Sequence, residues 1–112
     1  MTGSDFAPLG VLEEQVIVAV VRTRDDAYGM NVRRELEDVT GRALAIGAVY
    51  ATLDRLEAKG LLMSTRALGG APSRRRFAVS RAGAKALAET QAMRARLWQG
   101  VDVQRVLALA RA

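Results

Sequence analysis

The sequence contains no cysteine and no histidine. Without cysteine there is no disulfide framework and no thiolate nucleophile, and without histidine the commonest metal ligand and general base is missing. Serine, threonine and tyrosine therefore have no histidine partner to activate them, and the carboxylates show no paired spacing typical of acid–base catalysis. These absences argue against an enzyme, and we expect no metal site and no cofactor.

Long apolar runs are also missing. The longest uncharged apolar run, Val16 to Val21, is far shorter than a membrane span, and the first ten residues lack the features of a secretory signal. The sequence therefore predicts a cytoplasmic protein with no membrane partner. Its 112 residues, 50% hydrophobic and 26% charged, are enough for one domain with a modest core.

Positive charge is in excess, and it is unevenly distributed. Residues 1–40 hold four basic and eight acidic side chains, residues 41–80 hold seven and two, and residues 81–112 hold six and two. A net charge of +5 with this polarity is typical of a nucleic-acid-binding protein. The alternative is a solvated basic surface without such a partner.

The basic excess begins where a helix is predicted, over residues 47–60. Val49, Leu53 and Leu56 recur at the spacing of one helical face, and Gly60 suits a left-handed helix end. The opposite face and its flank carry Gly47, Ala48, Ala51, Asp54, Arg55 and Ala58. Because the first turn of this outer face is smooth, the helix is suited to lie in the major groove of DNA.

Two further helices are predicted before this one. The first runs from about Pro8 to Arg22 and is apolar on more than one face, which makes it a candidate partner surface. The second follows an N-cap at Asp26, runs from about Ala27 to Val39 and ends at Thr40-Gly41. Residues 43–45 are a candidate short strand. The second and third helices match a helix-turn-helix of the winged type.

A hairpin and a C-terminal helix complete the predicted domain. Strands over residues 61–68 and 74–79 flank a five-residue loop, 69–73, that is rich in turn formers. Arg74, Arg75 and Arg76 directly follow the loop. We expect them to contact DNA phosphates and contribute affinity rather than sequence choice, although such arginines also serve as a charged edge that deters aggregation.

Beyond the hairpin, Ser80 is the predicted N-cap of a helix that reaches Gln99, and Gly100 is a candidate break. Apolar residues at helical spacing then form either a continuation or a short fifth helix. The first helix and this C-terminal part carry more apolar surface than one small domain covers. They therefore predict a homodimer, which would present two recognition helices to a palindromic site.

Several of these stretches resemble the PadR-like transcriptional regulators. Residues 46–61, which read I-G-A-V-Y-A-x-L-x-R-L-E-x-x-G-L, are similar to the third helix of that family. Tyr28-Gly29 is similar to its Tyr-Gly pair, residues 70–77 to its wing, and residues 80–83 to the opening of its fourth helix. The resemblance covers roughly residues 9–90 in the right order. It implies a mainly α fold with a small β-hairpin, a winged helix-turn-helix domain plus a C-terminal dimerisation helix.

The resemblance also implies an organisation and a set of contacts. Residues 1–8 would be a flexible N-terminus, residues 9–80 the DNA-binding domain, and residues 81–112 the dimerisation part. The protein would be a repressor that binds double-stranded DNA as a homodimer. The expected DNA contacts are Tyr28, Gly47, Ala48, Tyr50, Ala51, Thr52, Arg55, Arg74, Arg75 and Arg76.

The short C-terminal part is similar to the short-tailed branch of the family. Because some short-tailed members bind flat aromatic or cationic compounds between their C-terminal helices, Trp98, Met93 and Leu97 are candidate ligand contacts. The alternative for Trp98 is packing in the dimer interface. Tyr28 and Tyr50 are likewise either half-buried anchors or phosphate contacts.

The recognition helix departs from the family pattern at three positions. Ala45, Ala48 and Ala51 stand where serine, threonine and proline are usual. Since alanine makes no side-chain hydrogen bond, these positions leave open a second function, a winged-helix module that binds another protein rather than a specific DNA sequence.

Overall fold

A computed structural model of the chain describes residues 8–66 and 74–111. The elements in these ranges are α1 (Val11–Thr23), α2 (Gly29–Thr40), α3 (Ile46–Ala58), β1 (Leu62–Arg66), β2 (Arg75–Val79), α4 (Arg81–Trp98) and α5 (Val103–Arg111). The mainly helical fold with one antiparallel hairpin is the predicted one. Except for Pro8, the predicted flexible N-terminus lies outside the described residues, as does the predicted loop at 69–73.

The core lies where α1, α2, α3 and the hairpin meet. Its side chains form one buried cluster: Val16, Ile17, Ala19 and Val20 of α1, Ala27, Val32 and Leu36 in and before α2, Val49, Leu53 and Leu56 of α3, and Leu62 and Phe77 of the hairpin. The helical periodicity predicted most of these positions. Each large aliphatic side chain buried in this way contributes about 1.5–3 kcal/mol relative to an exposed one.

The helix α2 begins two residues later than predicted. Asp26 lies in a short 3-10 turn, Arg24–Asp26, and Tyr28 occupies the N-cap position. The backbone carbonyl of Asp26 accepts hydrogen bonds from the amide of Tyr28 at 2.8 Å and from Nδ2 of Asn31 at 2.9 Å. Asp26 therefore contributes to this helix start through its carbonyl, and the predicted N-cap at Asp26 is wrong.

The segment between α2 and α3 is not a strand, contrary to the prediction for residues 43–45. Gly41 adopts a left-handed conformation, with φ of 71°, and ends α2 as predicted. The amide of Leu44 then donates to the Glu37 carboxylate at 2.7 Å. This bond, assisted by Arg33, holds the pKa of Glu37 below its ordinary value. The amide of Leu44, which would bond to a neighbouring strand if this segment were a strand, is thus bonded to a side chain of α2.

The hairpin is attached to the helical core on both of its sides. Its antiparallel register pairs Leu62 with Val79 and Arg66 with Arg75. On the other edge of β2, the amide of Phe77 donates to the carbonyl of Ala27 at 2.9 Å, and Tyr28 forms an isolated bridge with Arg76. The segment before α2 therefore pairs with the other edge of β2 through a single bridge.

The junction of α3, β1 and α4 is unusually close. Ser80 Oγ accepts from the amide of Gly83 at 3.0 Å, which confirms the predicted N-cap, and donates to the carbonyl of Gly60 at 2.6 Å. A Cβ at Gly83 would lie 2.0 Å from the carbonyl oxygen of Leu61. Only glycine lets the first turn of α4 approach the backbone this closely.

The C-terminal part extends away from the core. Gly100, with φ of 79°, separates α4 from α5, so the residues beyond it form a distinct helix. Every described residue from Arg94 to Arg111 is exposed. The radius of gyration, 16.4 Å, exceeds the roughly 13 Å expected of a compact domain of this length. The end of α4 and α5 therefore account for much of the exposed apolar surface.

We predict that Gly83→Ala destabilises the fold by about 1–3 kcal/mol, because the new methyl group would overlap a backbone carbonyl. The measurement is urea unfolding followed by circular dichroism. Gly47→Ala is the matched control, since no heavy atom in the described part of the chain lies within 4 Å of a Cβ there. That control is expected to be neutral or stabilising by up to about 1 kcal/mol. Equal stabilities of the two variants would contradict the close approach at Gly83.

Candidate nucleic-acid interface

The first turn of α3 presents a smooth, exposed surface. Gly47, Ala48 and Ala51 are exposed, as predicted from the helical period, while the opposite face of the helix is buried. Ala45 occupies the N-cap position, and its methyl group cannot accept a hydrogen bond from the first amides. This helix start therefore offers backbone and methyl groups rather than polar side chains.

The other end of α3 is anchored to α1 through Glu13. One oxygen of its carboxylate accepts from Lys59 Nζ at 2.7 Å and lies 3.7 Å from Nε of Arg55. The other oxygen accepts from the amide of Gly10 at 3.1 Å. The Lys59 bond is the largest cause of a lowered pKa of Glu13, which partial burial opposes and the Gly10 bond reinforces. Arg55 is thus drawn towards a carboxylate of the same chain.

Thr52, predicted as a DNA contact, is only 1% exposed. Its hydroxyl donates to the carbonyl of Ala48 at 2.8 Å and accepts from Nη2 of Arg55 at 3.3 Å. Bonding to the carbonyl four residues earlier is a common use of threonine inside a helix. The prediction for Thr52 is corrected accordingly, because the hydroxyl is used within the domain.

Both tyrosines lie at the start of α2, since Tyr28 is its N-cap residue and the ring of Tyr50 packs against Gly29. A Cβ at Gly29 would lie 2.4 Å from Cε1 of Tyr50, so this glycine makes room for the half-buried Tyr50 ring. The geometry explains why a Tyr-Gly pair precedes a tyrosine in α3, and it agrees with an anchoring role for Tyr50. Phosphate contacts by the hydroxyls of Tyr28 and Tyr50 stay predictions.

Arginines and hydroxyls converge at the outer end of the hairpin. A shallow cavity there is lined by Tyr28, Thr65, Arg66, Arg74 and Arg76. Arg74 and Arg76 are exposed, and Nη1 of Arg76 lies 3.4 Å from the carbonyl oxygen of Asp25. Guanidinium and hydroxyl donors are the groups that proteins commonly use to bind phosphate oxygens.

Thr65 and Arg66 were not among the predicted contacts. Thr65 reaches this cavity because it pairs with Arg76 across the sheet, and Arg66, which pairs with Arg75, lines the cavity from the end of β1. The predicted hairpin could have indicated Arg66 as a contact, because pairing of the two strands brings this basic residue of the first strand close to the arginines at the start of the second. Arg66 is therefore added to the candidate interface.

Arg75 differs from the arginines on either side of it, because successive residues of a strand face opposite sides of the sheet. Its side chain is 19% exposed, with Nη2 at 2.5 Å from Oδ1 of Asp54 and Nη1 at 3.2 Å from Oε1 of Glu57. Its Cζ lies 5.0 Å from the centroid of the Phe77 ring. The expectation that all three arginines face phosphates is corrected for Arg75, which faces α3.

The predicted ligand contacts lie on the second half of α4. Leu97 and Trp98 are exposed, and Met93 is half-buried. An apolar groove does lie between α1, α2 and α4, where its lining includes Val11, Val18, Ala19, Leu36 and Val39. Ion pairs of Arg22 with Glu35 and of Arg94 with Glu14 border this groove. Packing and ligand contact both stay predictions for Trp98.

The described residues, 8–66 and 74–111, contain no acidic cluster suited to a metal ion. In the same ranges no helix has the length and hydropathy needed to cross a bilayer. The two carboxylates with lowered pKa, those of Glu13 and Glu37, both bond to amides and cations of the fold. The groups at the candidate interface are hydrogen-bond donors: guanidinium groups, hydroxyl groups and backbone amides. Such donors are suited to binding a ligand rather than to acid–base catalysis.

The family model of the transcriptional regulator PadR-like family matches residues 17–89, which is more than half of the chain. The chain belongs to the PadR-like family. This membership confirms the resemblance in the sequence and identifies a transcriptional regulator, which fits the expectation that the chain is not an enzyme. No curated protein matches this PadR-like chain.

Solved structures show the same winged-helix fold. RosR from H. salinarum has a TM-score of 0.68 at 21% identity, over 92% of this chain and 91% of that one. A PadR family transcription regulator from Clostridium difficile has a TM-score of 0.59 at 24% identity, over 84% and 97% of the two chains. The S. aureus MepR–DNA complex has a TM-score of 0.53 at 14% identity, over 92% and 75%. At these identities the likeness shows the fold of this PadR-like chain.

We predict that Glu13→Gln destabilises the protein by about 1 kcal/mol at pH 7, because a charge-assisted bond to a half-exposed lysine is lost. The pKa of Glu13 is lowered in the folded state, so its contribution is present above the unfolded value of 4.5 and is lost as the pH falls through the folded pKa. The difference between parent and variant should therefore shrink below pH 4.5.

The measurement is urea unfolding of both proteins between pH 7 and pH 3. Glu89→Gln is the control, because that exposed carboxylate lies 3.9 Å from Lys85 in a surface pair on a single helix. A Glu13→Gln difference that is constant over the whole pH range would contradict a role for the Glu13 charge.

Proposed function

We propose that this PadR-like protein is a DNA-binding transcriptional repressor that acts in the cytoplasm as a homodimer on a palindromic operator. The observation that carries the proposal is that α3, whose first turn is exposed, is joined through Asp54 and Glu57 to a hairpin with exposed arginines, Arg66, Arg74 and Arg76. A major groove admits an α-helix, and flanking phosphates attract guanidinium groups. MepR, which is similar in fold, was solved in complex with DNA.

The helix α3 would enter the major groove with its first turn. Gly47, Ala48 and Ala51 make no bidentate hydrogen bonds to bases, so direct reading is limited to apolar contact with thymine methyl groups and backbone contacts. Arg55 would add a polar contact by leaving the Glu13 carboxylate and bonding to DNA instead. Much of the sequence preference would then arise from the deformability of the site, and discrimination between sequences would be modest.

Phosphate contacts would come from the cavity at the end of the hairpin. Arg66, Arg74 and Arg76 supply charge there, and the hydroxyls of Tyr28 and Thr65 supply neutral donors. The Tyr50 hydroxyl is a further phosphate contact in this proposal. Such contacts fix the position of a protein on the duplex without reading its bases.

A homodimer would bury the apolar surfaces that the single chain leaves exposed. In α1, Val11, Val18 and Val21 are exposed, and the apolar face of α5 is exposed at Val103, Val106, Leu107 and Leu109. An interface of the standard size would bury about 800 Å² on each partner. In this arrangement residues 9–80 would form the DNA-binding domain and residues 81–112 the dimerisation part.

The same interface would provide the control of the repressor. Trp98, with Met93 and Leu97, would line a gap between the C-terminal helices of the two copies, and a flat aromatic or cationic hydrophobic ligand would stack there. The dimer would have two conformations that differ in the spacing of the DNA-reading helices. The ligand weakens DNA binding only to the extent that it binds one conformation more tightly than the other.

The second candidate function is a winged-helix module that binds another protein. It is favoured by the lack of polar side chains at Ala48 and Ala51 and by the acidic, 58% exposed side chain of Asp54 on the same helix. A salt titration on random duplex separates the two functions, since binding through phosphates weakens steeply with salt whereas an apolar protein interface does not.

The experiment that tests the function is selection of bound sequences from random duplexes, followed by affinity measurements with variants. We predict that Ala48→Glu abolishes binding to the selected duplex while the fold survives, because a carboxylate in the first turn of α3 would face the phosphates and base edges. Circular dichroism checks the fold, and fluorescence anisotropy measures the affinity.

Ala84→Glu is the matched control, because it places the same side chain at an exposed helical position of α4. It should bind the selected duplex like the parent. If Ala48→Glu kept full affinity, α3 would not be the DNA-reading helix. Failure of the parent to bind any duplex would instead favour the protein-interaction function.

We predict a dimer at micromolar concentration by light scattering, and an intact dimer for Trp98→Ala with lost response to planar hydrophobic compounds. In the parent, compounds that release DNA should also quench the fluorescence of Trp98, the only tryptophan of the chain. Dissociation of Trp98→Ala into monomers would show that Trp98 is a packing residue. A monomeric parent would contradict the dimeric repressor altogether.

A further inference from the structure

The side chain of Arg75 joins the hairpin to the recognition helix. Its two terminal nitrogens contact Asp54 and Glu57, which lie three residues apart and therefore on one face of α3. The planar guanidinium group suits this arrangement, because its fork of donors bonds two carboxylates at once. Phe77 packs beneath it at a cation–π distance.

A second contact connects the other strand of the hairpin to the same helix. The hydroxyl of Ser64, in β1, donates to Oε2 of Glu57 at 2.5 Å. Glu57 thus receives one bond from each strand. On the far side of β2, the amide of Phe77 bonds to the carbonyl of Ala27. The hairpin is held between the segment before α2 and the second half of α3, so its orientation is determined from two sides.

We propose that Arg75 is a positioning residue, which sets the placement of the hairpin arginines relative to the first turn of α3 without itself contacting DNA. The proposal rests on the proposed DNA-binding function. It assigns the neighbouring arginines, Arg74 and Arg76, to phosphates and Arg75 to the Asp54 and Glu57 carboxylates. Because the first turn of α3 lacks polar side chains, the spacing of the two contact surfaces carries much of the selectivity.

Neutralising the two carboxylates separates this role from direct contact. Asp54→Asn with Glu57→Gln removes two negative charges near DNA. If Arg75 bound a phosphate, the change would free it and affinity for all duplexes would rise together. If Arg75 positions the hairpin, the ratio of affinities for the selected and a scrambled duplex should fall by roughly three- to tenfold.

The matched control changes the net charge equally, at a distance from the hairpin. Asp38→Asn with Glu89→Gln alters one carboxylate of α2 and one of α4, and the ratio of affinities should stay that of the parent. An unchanged ratio in the Asp54→Asn, Glu57→Gln protein would overturn the proposal.

The salt dependence of binding is a second measurement. Substituting a residue that contacts phosphate changes this dependence, whereas substituting a positioning residue does not. Arg74→Ala and Arg76→Ala should each lower the slope of log affinity against log salt by about 0.9, the value for one phosphate. Arg75→Gln should lower the affinity for the selected duplex and leave the slope at the parent value. Arg75→Lys keeps the charge and one carboxylate contact and should recover part of the affinity. A slope lowered by about 0.9 in Arg75→Gln would contradict the assignment.

A measurement without DNA tests the positioning itself. Because the chain has no cysteine, spin labels attached to Ala51→Cys on α3 and Thr65→Cys on the hairpin report one distance, with labelled protein diluted in excess unlabelled chain. Adding Arg75→Gln should broaden or shift that distance distribution, and Arg74→Ala should not. An unchanged distribution in Arg75→Gln would overturn the proposal even if the protein bound DNA. A parent with the expected distances that binds no duplex would overturn the proposed function, and with it the role assigned to Arg75 in DNA binding.

Discussion

Burial of one face of α3 is the constraint on which the rest of the structure depends. Val49, Leu53 and Leu56 have no exposed surface, and they pack against α1, α2 and the hairpin. Since a helix has 3.6 residues per turn, fixing this inner face also fixes which residues of the helix lie outside. The smooth outer first turn is therefore a consequence of core packing, and the same packing places the hairpin against the second half of this helix.

The charged side chains of this protein have two roles. Some form ion pairs within the fold, and others are exposed and available to a binding partner. Three acidic residues of the first forty positions form ion pairs with distant basic residues: Glu13 with Lys59, Glu14 with Arg94, and Glu35 with Arg22. Each such pair contributes at most about 1 kcal/mol of stability, and together the pairs also determine the distribution of charge. They neutralise basic groups around the helices, and the exposed arginines of the hairpin remain as a local positive surface.

The sequence predicted the features that depend on local periodicity and local chemistry. The buried faces of α1 and α3, the helix ends at Gly41 and Gly60, and the N-cap at Ser80 follow from neighbouring residues alone. Features set by distant contacts were missed. In place of the predicted strand at residues 43–45, the amide of Leu44 bonds to the Glu37 carboxylate, and the carboxylate partners of Arg75 lie in α3.

Hairpin register shows why the site was harder to predict than the fold. A five-residue loop at 69–73 would place Arg66 opposite Arg76, whereas the structure pairs Arg66 with Arg75. A shift of one residue in a strand exchanges its two faces. Alternation along β2 places Arg75 on the same face as Phe77 and places Arg74 and Arg76 on the other face. The partners of Arg75 on α3 could not be predicted, because they depend on how the sheet packs against that helix.

The alanines of α3 bear on how this fold would distinguish one duplex from another. A recognition helix with polar side chains reads base edges directly, and each good bidentate contact contributes about 1–3 kcal/mol of discrimination. Ala48 and Ala51 offer no such contact, so the same discrimination must come from fitting rigid surfaces to the shape of the duplex. Rigid placement then matters more, since a mobile hairpin would meet the phosphates of any sequence equally well. The ion pairs that fasten the hairpin to α3 are therefore expected to matter more to selectivity here than in a protein whose helix reads the bases itself.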